Sequence, residues 1–218
     1  MKKSLLRNLL LLLTISLLAG CAQPAAVPTE APVVEPPAPL ATEAPALEPT
    51  EAPVTGAFTV TDALGRVVEF EALPTRITVA GKAGFMISDA VYLFPEAPER
   101  VVAYVAGSQT PNDFISTVYP AANNLLKVET TSGPEQIAPI KPDVVLLKSY
   151  LKDSLGDPLE QLGIKVVYLS LETIDEINRD IRILGSLFGN PGRAEELAQL
   201  YTSTSEKVTV ITADLSDE

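Results

Sequence analysis

The sequence contains no histidine and no tryptophan, a single cysteine, and only 6% aromatic residues in 218. Without histidine, neither a Ser-His-Asp nor a Cys-His catalytic arrangement can form in this chain, and histidine-based zinc sites go with it. With one cysteine, Cys21, no disulfide can close within the chain. Phosphate-cradling glycine patterns are missing too. Gly81-Lys82 follows an apolar run as a P-loop does, but Arg76 stands where the first glycine is needed and Ala83 replaces the hydroxyl that holds magnesium. No G-x-G-x-x-G follows a strand-like run. These absences disfavour an enzyme and favour a protein that binds without chemistry, with no cofactor of its own.

Long apolar stretches are also scarce. Lys2, Lys3 and Arg7 precede the run from Leu9 to Leu18, and the small residues Ala19 and Gly20 lead to Cys21. A membrane-spanning helix needs about 20 apolar residues. This run is shorter, carries basic residues on its N-terminal side only and ends at a small-residue cleavage site, so residues 1–20 read as a signal peptide. Leu18-Ala-Gly-Cys21 resembles the lipobox of bacterial lipoproteins, which implies that Cys21 is the lipidation site and that the protein is held on the outer face of a cell membrane. Net charge is −12, and −15 once the three bases of the signal peptide are removed. Nucleic acid is thereby disfavoured as a partner, because phosphate binding needs a basic face.

Residues 21–56 carry proline at nearly every third or fourth position, interleaved with Ala, Thr, Glu and Val, and no aromatic residue. Such a segment lacks the apolar surface to offset chain entropy and reads as an extended spacer. Composition shifts at Phe58. Phe58-Thr-Val-Thr61 and Val67-Val-Glu-Phe70 flank Asp62-Ala-Leu-Gly65-Arg66 as a β-hairpin. Four β-branched runs follow, at Ile77–Ala80, Val101–Val105, Val144–Leu147 and Val166–Leu169. None alternates in polarity, as befits parallel strands buried on both faces.

Ser132-Gly-Pro-Glu135 and Thr173-Ile-Asp-Glu176 have the form of a capping box, predicting helix starts. The second opens a helix with Ile174, Ile177, Ile181 and Leu184 on one stripe, ended by Gly189-Asn190-Pro191; a further helix runs from near Gly192 towards Ala213. The fold class is therefore α/β, with a parallel sheet built from βα units over residues 57–190.

Thr59-Val-Thr-Asp-Ala-Leu-Gly-Arg-Val-Val68, Pro74-Thr-Arg-Ile77 and Gly133-Pro-Glu-Gln-Ile-Ala-Pro-Ile-Lys-Pro-Asp-Val-Val145 resemble, in this order, the class III periplasmic binding proteins of ABC importers for siderophores, haem and cobalamin. Leu162–Leu169 and Ile181–Gly185 fall where that family places its next strand and helix. Gly133 departs from the asparagine usual in the signature. The resemblance implies two α/β lobes joined by a long helix, with residues 57–190 as the ligand-binding N-terminal lobe. Residues 191–218 match the start of the interlobe helix, so the chain reads as truncated before a second lobe. It also implies a monomer that delivers an iron chelate, haem or corrinoid to a permease served by an ATPase subunit.

In an open parallel sheet, ligands meet the loops at the carboxyl ends of the strands. Those loops contribute Lys82, Gly84 and Phe85 after the first strand, Tyr104 and Ser108 after the second, and Lys148 and Tyr150 after the third. Lys82 and Lys148 with the helix start at Gly84 suggest a locally basic cleft for an anionic ligand, while Phe85, Tyr104 and Tyr150 suit a planar one. By resemblance, Glu135 docks on arginines of the permease. A surface lipoprotein with a macromolecular partner, or a non-functional gene fragment, are the rival readings.

Overall fold

The computed structural model describes residues 56–105 and 114–213. Residues 1–20, read above as a signal peptide, Cys21 and nearly all of the proline-rich segment lie outside the described residues, as does Ser108. The hairpin forms as expected, with β1 (Phe58–Thr61) antiparallel to β2 (Val67–Phe70) and Phe58 opposite Phe70. Its turn is written in the sequence. Gly65, at φ 75°, takes the left-handed position that closes a three-residue loop, and Asp62 Oδ1 accepts the N–H groups of Leu64 and Arg66.

The main sheet has five strands, all parallel: β3 (Ile77–Val79), β4 (Val101–Tyr104), β5 (Leu126–Lys127), β6 (Val144–Lys148) and β7 (Val166–Leu169). Their order across the sheet is β5-β4-β3-β6-β7. The four apolar runs supply four of them. The fifth, β5, is two exposed residues long, too short to leave a pattern. Along β6 and β7, Val144, Leu146, Val167 and Leu169 enter one buried cluster while Val145, Leu147, Val166 and Tyr168 enter another. Both faces are therefore core, which is why these runs show no polar alternation.

Seven α-helices surround the sheet: α1 (Gly84–Val91), α2 (Ala97–Arg100), α3 (Phe114–Val118), α4 (Pro134–Ile137), α5 (Asp157–Gln161), α6 (Ile174–Phe188) and α7 (Pro191–Thr212), among the described residues. In α6 the Thr173 hydroxyl accepts from Glu176 N–H and the Glu176 carboxylate accepts from Thr173 N–H, and Gly189 at φ 66° ends the helix. The other predicted box is displaced by one residue. Gly133, not Ser132, is the N-cap of α4, and Gln136, not Glu135, reaches back, its Oε1 2.6 Å from Gly133 N. Glycine has no side chain to complete the reciprocal bond, so only half of the motif exists. Asn190 caps α7 by accepting from Arg193 N–H, and Arg182 of α6 forks onto Glu195 of α7.

The Lys-Pro-Asp signature acts at the amino end of the sheet. Asp143 Oδ2 accepts from Thr75 N–H, Thr75 Oγ1 and Arg76 N–H, at 2.8 to 2.9 Å, while Arg76 donates to the carbonyls of Lys141 and Ile140. The starts of β3 and β6 are thus clamped together. Partial desolvation pushes the Asp143 carboxyl up, but these hydrogen bonds and the charge of Arg76 outweigh it and hold it below the usual aspartate range. The clamp's contribution to stability is accordingly present above that range and is lost as pH falls through the lowered value.

An exposed edge strand invites foreign pairing, and β7 is protected from it by the hairpin turn. Ala63 N–H donates to the Tyr168 carbonyl, Arg66 Nη2 donates to the Val166 carbonyl, and the Arg66 guanidinium lies 4.3 Å from the centroid of the Tyr168 ring.

Candidate functional site

Strand β3 sits where the connections reverse, with β4 and β5 on one side and β6 and β7 on the other. The loops leaving β3 and β6 run in opposite directions from the carboxyl edge of the sheet there, the general position for ligands in this architecture. Gly81 begins the first loop at φ 80°, and a Cβ there would lie 2.5 Å from Leu151 Cδ1, so only glycine lets the two loops approach. Ala83 follows at φ 58° as the N-cap of α1 and offers no side-chain cap; Gly84 N–H donates to the Gly81 carbonyl and Met86 N–H to the Ala83 carbonyl instead. Tyr150 Oη donates to the Lys82 carbonyl at 2.9 Å and joins the two loops. Burial first, and the charge of Glu172 second, raise the Tyr150 phenol, which keeps it a protonated donor.

Lys82, Gly84, Phe85 and Tyr150 are thus gathered at one edge. Lys82 is exposed and makes no ion pair among the described residues; Phe85 and Tyr150 are 36% and 56% exposed. Beside Phe85 runs an apolar groove of about 470 Å³, walled by Met86, Phe114, Leu171, Ile177 and Tyr201.

Two expected ligand residues are placed differently. Lys148 is the last residue of β6 rather than a loop residue and is fully buried; its ammonium donates to the Ser170 carbonyl, to Glu172 and, at 3.8 Å, to Met86 Sδ. The positive charge it was expected to lend the cleft is answered inside the protein. Tyr104 is fully buried in the core under β4, its ring 6.1 Å from that of Tyr92, and presents no face for stacking. In both cases the residue is still part of a strand whose two faces are both covered by core. Glu135, by contrast, is exposed in the first turn of α4 and has no ion-pair partner among the described residues.

The residues that shape the site most were not singled out. Asp180, fully buried on α6, accepts from Ser170 N–H at 2.6 Å, Leu171 N–H at 2.9 Å and Arg179 Nε at 2.8 Å. It holds the loop after β7 with Leu171 at φ 56°, a strained position for a leucine, and so fixes the Leu171 side chain in the wall of the apolar groove. Lys148 grips the same loop from the other side through the Ser170 carbonyl.

The sequence pattern of the periplasmic binding protein family matches residues 98–217. A vitamin B12-binding protein from Pectobacterium carotovorum is 31% identical over 129 residues, which are 53% of this chain and 46% of that protein. A vitamin B12-binding protein from Pectobacterium atrosepticum matches to the same extent. The chain spans about half the length of the curated relatives it matches. Among solved structures, the molybdate periplasmic binding protein MolA of a Haemophilus influenzae ABC transporter superposes with a TM-score of 0.61 at 18% identity, over 73% of this chain and 55% of that one. A periplasmic solute binding protein from Veillonella parvula gives 0.58 at 23%, over 70% and 47%. At these identities the likeness is one of fold.

Proposed function

The chain belongs to the periplasmic binding protein family, and on that footing we propose that it serves an ABC importer by capturing a metal chelate outside the cytoplasm. The family is one of binding proteins, not of enzymes. In this reading residues 57–190 form the lobe that receives the ligand, and α7 begins the helix leading to a further lobe. Glu135 faces the permease, and a separate subunit hydrolyses ATP. The observation that supports it is the loop edge at the sheet reversal, where the Tyr150–Lys82 bond brings the two loops together beside the exposed side chains of Lys82, Phe85 and Tyr150. Lys82 suits an anionic group, and Phe85 and Tyr150 suit a planar or apolar body. The vitamin B12-binding relatives favour a corrinoid over haem and ferric siderophores.

Calorimetric titration of the purified chain with cyanocobalamin, haemin and a ferric catecholate tests the proposal. Saturable binding of at least one is the expected result; no heat beyond dilution from any of them contradicts it. Export and anchoring through Cys21 belong to the same reading, supported by the lipobox-like Leu18-Ala-Gly-Cys21 and by the proline-rich spacer behind it. Cys21→Ser is expected to move the protein from the membrane fraction to the soluble fraction of expressing cells, and unchanged sedimentation with membranes removes the anchor.

A further inference from the structure

The apolar groove beside Phe85, about 470 Å³, is of a size that encloses small molecules, for which pockets run from about 300 to 1,000 Å³. Met86 and Ala90 of α1, Leu93 just beyond that helix, Ile177 of α6 and Leu171 of the loop after β7 wall it. Asp89 is the one charged residue among the described residues lining it. An anionic group inside would therefore meet a like charge and apolar surroundings, whereas an uncharged apolar group would be welcome.

Two fully buried charges hold this groove in shape. Asp180 accepts from the amides of Ser170 and Leu171, while Lys148 donates to the Ser170 carbonyl and lies 3.8 Å from Met86 Sδ. Leu171 is thereby kept at φ 56° with its side chain in the groove wall, and Met86 is held in the wall beside it. Buried charges and a leucine in the left-handed region both cost stability, and such costs collect where a surface must take one particular form. The groove is also continuous with the loop edge described above. Phe85 lines the groove while remaining 36% exposed, and the exposed Lys82 stands three residues before it.

We propose that the groove takes an uncharged apolar arm of the same ligand whose anionic part meets Lys82. The chain then selects chelates that carry such an arm over otherwise identical chelates that lack one. This selectivity rests on the capture of a metal chelate at the loop edge and narrows the class of chelate captured there.

Two iron(III) complexes of equal charge, those of catechol and of 4-tert-butylcatechol, provide the test when each is titrated calorimetrically into the purified full chain. Burial of the added hydrocarbon predicts that the tert-butylcatecholate complex binds roughly tenfold tighter or more. Ile177→Trp narrows the groove without adding charge, and is expected to cut that advantage to under about threefold while leaving catecholate affinity unchanged. Leu93→Trp serves the same purpose if the first variant falls short of the parent melting temperature. Equal affinities of the two complexes for the parent chain overturn the inference. A full tert-butyl advantage retained in a tryptophan variant of parent-like melting temperature overturns it too. Absence of binding by both complexes also overturns it, and the functional reading falls with it only when cyanocobalamin and haemin fail to bind as well.

Discussion

Asp180→Ala is expected to lower the stability of the folded chain by about 3–5 kcal/mol, a drop in melting temperature of roughly 10 °C or more. The carboxylate is fully buried, and its two oxygens serve three donors: the N–H groups of Ser170 and Leu171 and Nε of Arg179. Truncation strands two amides in the interior and leaves the guanidinium without its counter-charge. It also releases Leu171 from φ 56°, because no other described residue accepts from the amides of that turn. Asp180→Asn keeps one acceptor and is expected to fall between parent and alanine variant. Denaturant unfolding followed by circular dichroism reads both, and a loss of under about 1 kcal/mol for the alanine variant would deny Asp180 this role.

Lys148→Ala is expected to destabilise the fold by about 3 kcal/mol, and Lys148→Met by about 1–2 kcal/mol. The two substitutions separate two contributions. Alanine removes a buried stem from between the helices and the sheet as well as the ammonium; methionine keeps most of the volume and removes the charge that ties Ser170 and Glu172. Because Lys148 and Asp180 hold opposite ends of the Ser170 peptide unit, their losses should not add. A double-mutant cycle of Lys148→Met with Asp180→Asn is expected to show a coupling of about 0.5 kcal/mol or more, and strict additivity would mean the two grips are independent.

The fold was legible where chemistry repeats along the chain. Asp62-Ala-Leu-Gly65-Arg66 specifies its turn through one glycine and one aspartate, and Thr173 with Glu176 specifies a helix start, because each motif is satisfied by neighbours in sequence. Strands β3, β4, β6 and β7 declared themselves through β-branched runs. The same property hid the orientation of Lys148. In a strand buried on both faces nothing marks where the strand ends, and β6 runs one residue past the apolar run, so Lys148 is buried as part of it instead of entering the loop. Asp180 escaped notice for a related reason. On a helix read by its apolar stripe of Ile177, Ile181 and Leu184, an acidic residue beside the stripe reads as solvated, and only the packing of α6 against the loop after β7 buries it. The Lys-Pro-Asp signature was visible as a signature, yet its purpose was not. That Asp143 receives Thr75 and Arg76 depends on β3 and β6 being sheet neighbours, a pairing across 67 residues that no local pattern encodes.

The loop edge after β3 and β6 is where we propose that ligand is received. Its most direct test is titration of whichever chelate binds the parent chain, among cyanocobalamin, haemin and a ferric catecholate, into Lys82→Met and Phe85→Ala. Both residues are exposed and support no hydrogen bond through their side chains among the described residues, so melting temperature should be unchanged. Weakening of roughly tenfold in each variant, at equal stability, is the predicted result. Parent-like affinity in both variants would contradict it and move the ligand away from this edge of the sheet.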